Sequence, residues 1–368
     1  MLNLNPASQP LMPMKHTGIG LRVNGMAVLA LASFSLFAIA SEASPAATTA
    51  LNGSMTGAAV APYVRDAFVH DPSTLIKCKD EFWVFATGRG VPSWHSRDLM
   101  NWEHGPSVFT SNAPPWVAEA VPANRPLGYW APDLTYLNGR YLLYYSASTF
   151  GHNVSGIGLV TSPTLDPSDP AYGWTDQGLI IASAATNDFN AIDPAIFHEA
   201  NGSLWLTFGS FWSGIKMIQL DPQTGKRLAP DFPILSLAHS DAIEASYLYQ
   251  HGRYYYLFVN WGLCCRGTNS TYSIHVGRSQ NVTGPYLDRE GRDMLYGGGT
   301  LFLDTTKPYF GPGHSGIMVD NGTNWFNCHY EAGTDADIPG QRRGSRLAVM
   351  PLRWTADDWP QVDLKQDN

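Results

Sequence analysis

From residue 60 onward the chain runs as short alternations of apolar and polar positions, broken by Gly, Asn, Asp and Pro. Helical periodicity is nearly absent. Alternation with a period of two puts every second side chain on one face of a strand, so the pattern predicts an all-β chain. One layout recurs. Asp133 to Ser146 reads as a strand, the turn Asn138-Gly139 and an aromatic strand. Asp193 to Ser210 repeats it around Asn201-Gly202, and Glu244 to Phe258 repeats it around His251-Gly252. Asn-Gly between such runs is a hairpin signal. Asp71 to Ala86 opens the series and His314 to Cys328 closes it.

Each unit begins with a polar residue at the head of its first strand. The spacing is 62 residues from Asp71 to Asp133, then 60 to Asp193, 51 to Glu244 and 70 to His314. Five units of this size fill residues 60–368 and read as the blades of a five-bladed β-propeller. Blades stack radially, so the first strand of each lines the central channel and the five polar heads converge at one end. A β-sandwich, the competing architecture, would not gather five equivalent strand heads.

The first 59 residues follow a different pattern. Lys15, His16 and Arg22 precede an apolar run of 15 residues from Met26 to Ala40, and small residues follow over Ser41–Pro45. This order predicts a signal peptide and leader over residues 1–45, with Met14 as an alternative start and an uncleaved anchor as the competing reading. Residues 46–59 read as a flexible linker. The predicted destination is extracellular or periplasmic, with no membrane contact after cleavage. The net charge of −8 argues against nucleic acid or an anionic membrane as partner and leaves a neutral substrate as the better fit. With 44% hydrophobic residues, the 368-residue chain has ample material for a packed core. Its 12% aromatic content suits both strands and sugar platforms. Four cysteines are too few for a disulfide framework. Cys264 and Cys265 are adjacent, and Cys78 could pair with Cys328 only if the fold brings them together.

Three carboxylates head first strands: Asp71, Asp193 and Glu244. Both Asp71 and Asp193 precede proline, which disfavours the right-handed helical region and predicts extended backbone at each acid. A lone Asp-Pro is usually a turn initiator; two at matched repeat positions point to function. Glycoside hydrolysis needs one carboxyl that carries a proton and one that is ionised, and a third acid nearby raises the pKa of the proton donor. Channel-end acids on different blades answer that need.

The motifs around these acids are specific when taken together. They are His70-Asp71-Pro72-Ser73, Trp130-Ala131-Pro132-Asp133, Asn190-Ala191-Ile192-Asp193-Pro194, Glu244-Ala245-Ser246-Tyr247, Cys264-Cys265-Arg266-Gly267 and Gly311-Pro312-Gly313-His314. In this order and spacing, from about His70 to Trp354, the chain resembles glycoside hydrolase family 43, and within it the arabinan endo-1,5-α-L-arabinanases. The resemblance implies an inverting hydrolase of arabinan, with Asp71 as general base, Glu244 as general acid and Asp193 as the group that orients Glu244 and raises its pKa. Asp133 is structural in this reading. His314 is either satisfied within a Gly-rich turn or, as the resemblance implies, a ligand of calcium whose shell is completed by water. No organic cofactor is implied, and the expected state is a monomer. Phe150-Gly151, Ser210-Phe211-Trp212 and Trp94 are predicted on loops after second strands, where each ring either packs or meets sugar. The resemblance favours Phe150, Asn190 and Ser210–Trp212 as sugar contacts, with His70 beside the base.

Competing readings are weaker. Five-bladed fructosidases carry Arg-Asp-Pro and Glu-Cys where this chain has Ile192-Asp193 and Glu244-Ala245. Exo-acting arabinanases, arabinofuranosidases and xylosidases of the same family are nearer alternatives. A lectin propeller would need no acid–base pair and would keep its blades chemically alike.

Overall fold

The structure is a computed structural model and describes residues 67–332 and 344–362. Five antiparallel sheets follow one another along the chain. Blade one is built from Ile76–Cys78, Glu81–Phe85, Ser93–Ser96 and Glu103–His104. Blade two uses Gly128–Leu137, Arg140–Ala147, Ser155–Ser162 and Thr175–Ser183, with Gly88–Arg89 added at its inner edge. Blade three comprises Ala195–His198, Leu204–Phe208, Ile215–Leu220 and Leu235–Ala238. Blade four comprises Ile243–His251, Tyr254–Trp261, Ser273–Ser279 and Thr300–Leu303. Blade five comprises Tyr309–Asp320, Thr323–Ala332, Gly344–Trp354 and Pro360–Gln361. The five-bladed propeller expected from the repeat is therefore present. The predicted leader and linker, and residues 60–66 of the first unit, lie outside the described residues.

The second strand of each blade explains why the apolar runs are nearly continuous. Both faces of a blade are covered by neighbours, so successive side chains enter different cores. Phe82 and Val84 pack with Met318, Leu347 and Val349 of blade five, while Trp83 and Phe85 pack with Leu143 and Tyr145 of blade two. Leu142 and Tyr144 then turn to Leu204 and Phe208 of blade three. Phe197 and Ile215 meet Leu257 and Val259 of blade four, and Tyr256 and Phe258 meet Phe326 and Tyr330 of blade five. The ring closes where Ala67–Val69 pairs with blade five, through Val69 N to Ser345 O at 3.2 Å and Leu347 N to Ala67 O at 3.5 Å. Trp94 belongs to this closure core. It lies within strand Ser93–Ser96, is 3% exposed and packs beside His104 at 4.8 Å, so it is not the loop platform expected of it.

A repeated bond sets the channel end. One residue per blade near the strand head has a left-handed backbone: Asp71 (φ 47°), Ala131 (45°), Asp193 (57°), Ala245 (51°) and His314 (62°). The extended backbone expected of Asp71 and Asp193 is therefore not found. Aspartate and histidine tolerate this region better than most residues, but alanine there is strained and needs holding. Each is held by its own N–H, which donates to a side chain of the preceding blade. The acceptors are His329 Nδ1 for Asp71 at 3.1 Å and Thr87 Oγ1 for Ala131 at 2.8 Å. Ser146 Oγ serves Asp193 at 3.1 Å, Asp193 Oδ2 serves Ala245 at 3.1 Å, and Asn260 Oδ1 serves His314 at 2.9 Å. This ring also corrects the phasing of blade two, whose equivalent of Asp71 is Ala131 rather than Asp133.

Asp133 lies one step deeper and joins three blades. Its buried carboxylate accepts from Thr74 N at 2.9 Å and from Ile196 N at 2.8 Å. Asp133→Ala strands both donors. The expected result is a loss of about 3 kcal/mol in unfolding free energy, measured by chemical denaturation.

Candidate active site

Asp71 sits at the channel end among imidazoles. Its Oδ1 lies 3.6 Å from His314 Nδ1, and 3.7 Å from both His329 Nδ1 and His70 Nε2, while Thr87 donates to Oδ2 at 2.7 Å. Burial opposes ionisation of Asp71, but the three imidazoles and the Thr87 hydroxyl outweigh it and hold the carboxyl well below its usual range. Burial also pushes His314 and His329 down, so at neutral pH these rings act on Asp71 as polar neighbours rather than as full charges. His329 Nδ1 accepts the Asp71 N–H, which fits a neutral ring.

Glu244 and Asp193 behave in the opposite way. Burial drives both upward, and the charge of Glu244 and then of Asp71 adds to the rise at Asp193. Ser210 donates to Glu244 Oε2 at 2.6 Å and Tyr272 donates to Oε1, and both bonds favour the ionised form of Glu244. Among the described residues, Asp193 receives the Ala245 N–H alone. Burial, with like charge beside it, thus pushes both carboxyls towards their protonated forms. The three acids expected to converge are thus brought together across blades one, three and four. His329 accepts from Asp71 N, its ring lies 6.1 Å from that of Tyr272, and Tyr272 reaches Glu244. Gly313 makes room for this bridge, since a methyl group there would lie 2.4 Å from the Tyr272 ring.

The expected sugar contacts divide. Phe150 is 78% exposed beside Gly151, and Trp212 is 41% exposed, so both rings offer faces to solvent. Phe211 and Trp212 are consecutive left-handed residues (φ 51° and 41°) in a tight turn closed by Gly214 N to Phe211 O at 2.7 Å. Asn190 is buried, and its Oδ1 meets no donor among the described residues. Ser210 is buried and already engaged by Glu244. His70 is fixed by Ser345 Oγ at 3.0 Å from Nδ1.

The partners of Asp71 beside His314 are imidazoles and a hydroxyl. Calcium takes roughly six to eight oxygen ligands, so this nitrogen-rich set suits that ion only with water supplying most of its shell. Cys264 and Cys265 are bonded to each other, whereas Cys78 and Cys328 are free and buried, Cys78 lying 3.5 Å from Thr164 Oγ1.

Residues 63–360 match the profile of the glycosyl hydrolases family 43. The chain belongs to glycoside hydrolase family 43. It is 41% identical over 313 residues to the extracellular exo-α-(1→5)-L-arabinofuranosidase ArbA of Cellvibrio japonicus, covering 81% of this chain and 87% of that one. It is 42% identical over 298 residues to the extracellular endo-α-(1→5)-L-arabinanase 1 of Bacillus subtilis, covering 79% and 87%. The α-L-arabinanase of Cellvibrio cellulosa complexed with arabinohexaose superposes with a TM-score of 0.74 at 37% identity, covering 81% of this chain and 96% of that one.

Several side chains of this family 43 site escaped the sequence reading. Thr87, Tyr272 and His329 touch the acids directly; Thr87 stands before Gly88, but Tyr272 and His329 have no flanking Pro or Gly to single them out. Tyr272 is one of 17 tyrosines.

Proposed function

We propose that this chain is an inverting hydrolase of α-1,5-L-arabinofuranosidic bonds within arabinan, with Asp71 as general base, Glu244 as general acid and Asp193 as the residue that orients Glu244 and shares its proton. One observation carries the reading. Asp71 sits among three imidazoles and a hydroxyl that hold its carboxyl down, whereas burial pushes the carboxyls of Glu244 and Asp193 up. In this mechanism a water beside Asp71 gives up a proton to the carboxylate as its oxygen attacks the anomeric carbon. The bond to the departing sugar breaks on the opposite face, and Glu244 hands its proton to the leaving oxygen. The product is inverted. Proton NMR in the first minutes of hydrolysis tests this, and a product of retained configuration rejects it.

Phe150 and Trp212 serve as stacking platforms in this reading, and the unpartnered Asn190 Oδ1 accepts a sugar hydroxyl. His314, with water, would hold a calcium ion, whose contribution would be positive charge beside Asp71. The names of the Cellvibrio japonicus and Bacillus subtilis relatives support export, and the enzyme is taken to act as a monomer.

Endo action is supported by the Bacillus subtilis relative and exo action by the Cellvibrio japonicus relative, at nearly equal identity. The time course on linear arabinan separates them. An endo enzyme lowers viscosity well before reducing sugar accumulates, whereas an exo enzyme releases one short product from the start.

Tyr272 supplies a further test. Its hydroxyl stabilises ionised Glu244, so Tyr272→Phe raises the pKa of the acid. The alkaline limb of the pH–rate profile is expected to move to higher pH, with a roughly tenfold lower kcat from lost orientation. Asp193→Asn removes a like charge and moves the same limb to lower pH. Limbs that stay in place in both variants would separate these residues from the acid.

A further inference from the structure

The Cys264–Cys265 disulfide lies on the loop that leaves strand Tyr254–Trp261 of blade four, and Cys265 is exposed. Cys265 Sγ is 3.4 Å from His70 Nε2, which in turn is 3.7 Å from Asp71 Oδ1. One ring nitrogen of His70 and both sulfurs lie within 4.8 Å of one another. We propose that His70, Cys264 and Cys265 form a redox-gated site for a thiophilic divalent ion such as zinc, closed while the sulfurs are bonded, open once they are reduced, and inhibitory when filled.

The chemistry of the donors carries this. Sulfur in a disulfide has no thiolate charge and ligates weakly, whereas two thiolates and an imidazole are the ligands zinc selects, with a fourth position left for water. The imidazole is also supported from behind. His70 Nδ1 bonds Ser345 Oγ at 3.0 Å, and Ser345 donates to Glu331 Oε1 at 3.0 Å. A hydroxyl–carboxylate relay on the far nitrogen is the arrangement that orients metal-binding histidines. A dithiol reductant delivers two electrons and two protons to the S–S bond, giving two thiols as it closes to its own cyclic disulfide. Zinc then displaces the two thiol protons. The ion would sit one residue from Asp71, adding positive charge and bulk where water must be activated. The inhibition, unlike the binding, rests on Asp71 as the base.

The test uses the enzyme oxidised, and again after dithiothreitol and anaerobic desalting, with calcium in excess throughout. The reduced enzyme is expected to bind one equivalent of zinc and to lose arabinan hydrolysis in proportion to occupancy, regaining it when a chelator removes the zinc. The oxidised enzyme should do neither. Cobalt in place of zinc should give a thiolate-to-metal charge-transfer band in the reduced form alone. Cys265→Ser, or alkylation of the reduced wild-type thiols, should abolish band and zinc sensitivity together, and Ser345→Ala should weaken zinc binding roughly tenfold. A reduced enzyme that binds no zinc, or a band that survives alkylation, overturns the site. Binding without loss of hydrolysis overturns its inhibitory effect, and leaves the assignment of Asp71 to be judged by its own variants.

Discussion

Replacing Glu244 is expected to lower kcat/KM on linear arabinan by roughly 10³- to 10⁴-fold, while an aryl arabino-oligosaccharide with a nitrophenolate leaving group loses on the order of tenfold or less. The difference follows from what the acid does. A sugar alkoxide is a poor leaving group and must be protonated as it departs, whereas nitrophenolate leaves as a stable anion. Glu244→Gln is the cleaner variant. Its amide oxygen can still accept from one of Ser210 and Tyr272 while its amide nitrogen donates to the hydroxyl oxygen of the other, but it has no acidic proton to give. Glu244→Ala instead strands two buried hydroxyls and adds a packing defect to the chemical one. The alkaline limb of the pH profile should vanish in both variants, because the group whose deprotonation produces it is gone. Equal losses on the two substrates would remove Glu244 from the acid role.

The residues that the sequence made legible share one property, which is position in the repeat. Asp71, Asp193, Glu244 and His314 stand at or beside strand heads, and the turn after each first strand phases those heads without any tertiary information. Blade two shows the limit of such phasing. Asp133 matched the layout by residue type, yet the left-handed backbone and its inter-blade bond belong to Ala131. The backbone at Asp71 and Asp193 departs from the expected extended form for a related reason. Proline constrains its predecessor locally, but here bonds from neighbouring blades override that preference. Trp94 lies in a strand rather than on the expected loop because strand Glu81–Phe85 is followed by Gly88–Arg89, which pairs with blade two, before blade one resumes at Ser93. Tyr272 acts through contacts made far along the chain, and no local pattern marks it; His329 holds the place that Thr87, Ser146 and Asn260 hold in their blades, but the residue type changes from blade to blade.

Asp71→Asn should inactivate the enzyme on arabinan and on the nitrophenyl substrate alike, by roughly 10⁴-fold, since both need an activated water. Asparagine is the variant of choice because position 71 is left-handed, a region asparagine tolerates well, and because its amide oxygen can still accept from Thr87. Alanine would add backbone strain and confuse loss of the base with loss of the fold. In the wild type the neighbours of Asp71 keep it ionised below the usual carboxylate range. The acid limb of the profile should accordingly lie at unusually low pH, and the residual activity of Asp71→Asn should lack it. Azide completes the argument. It is a nucleophile with no proton to lose, so it bypasses a missing base and should restore turnover of the nitrophenyl substrate in Asp71→Asn, giving a glycosyl azide of inverted configuration. Rescue with retained configuration would instead mean that a nucleophile elsewhere in the site had formed a covalent intermediate, and Asp71 would lose its place as the base.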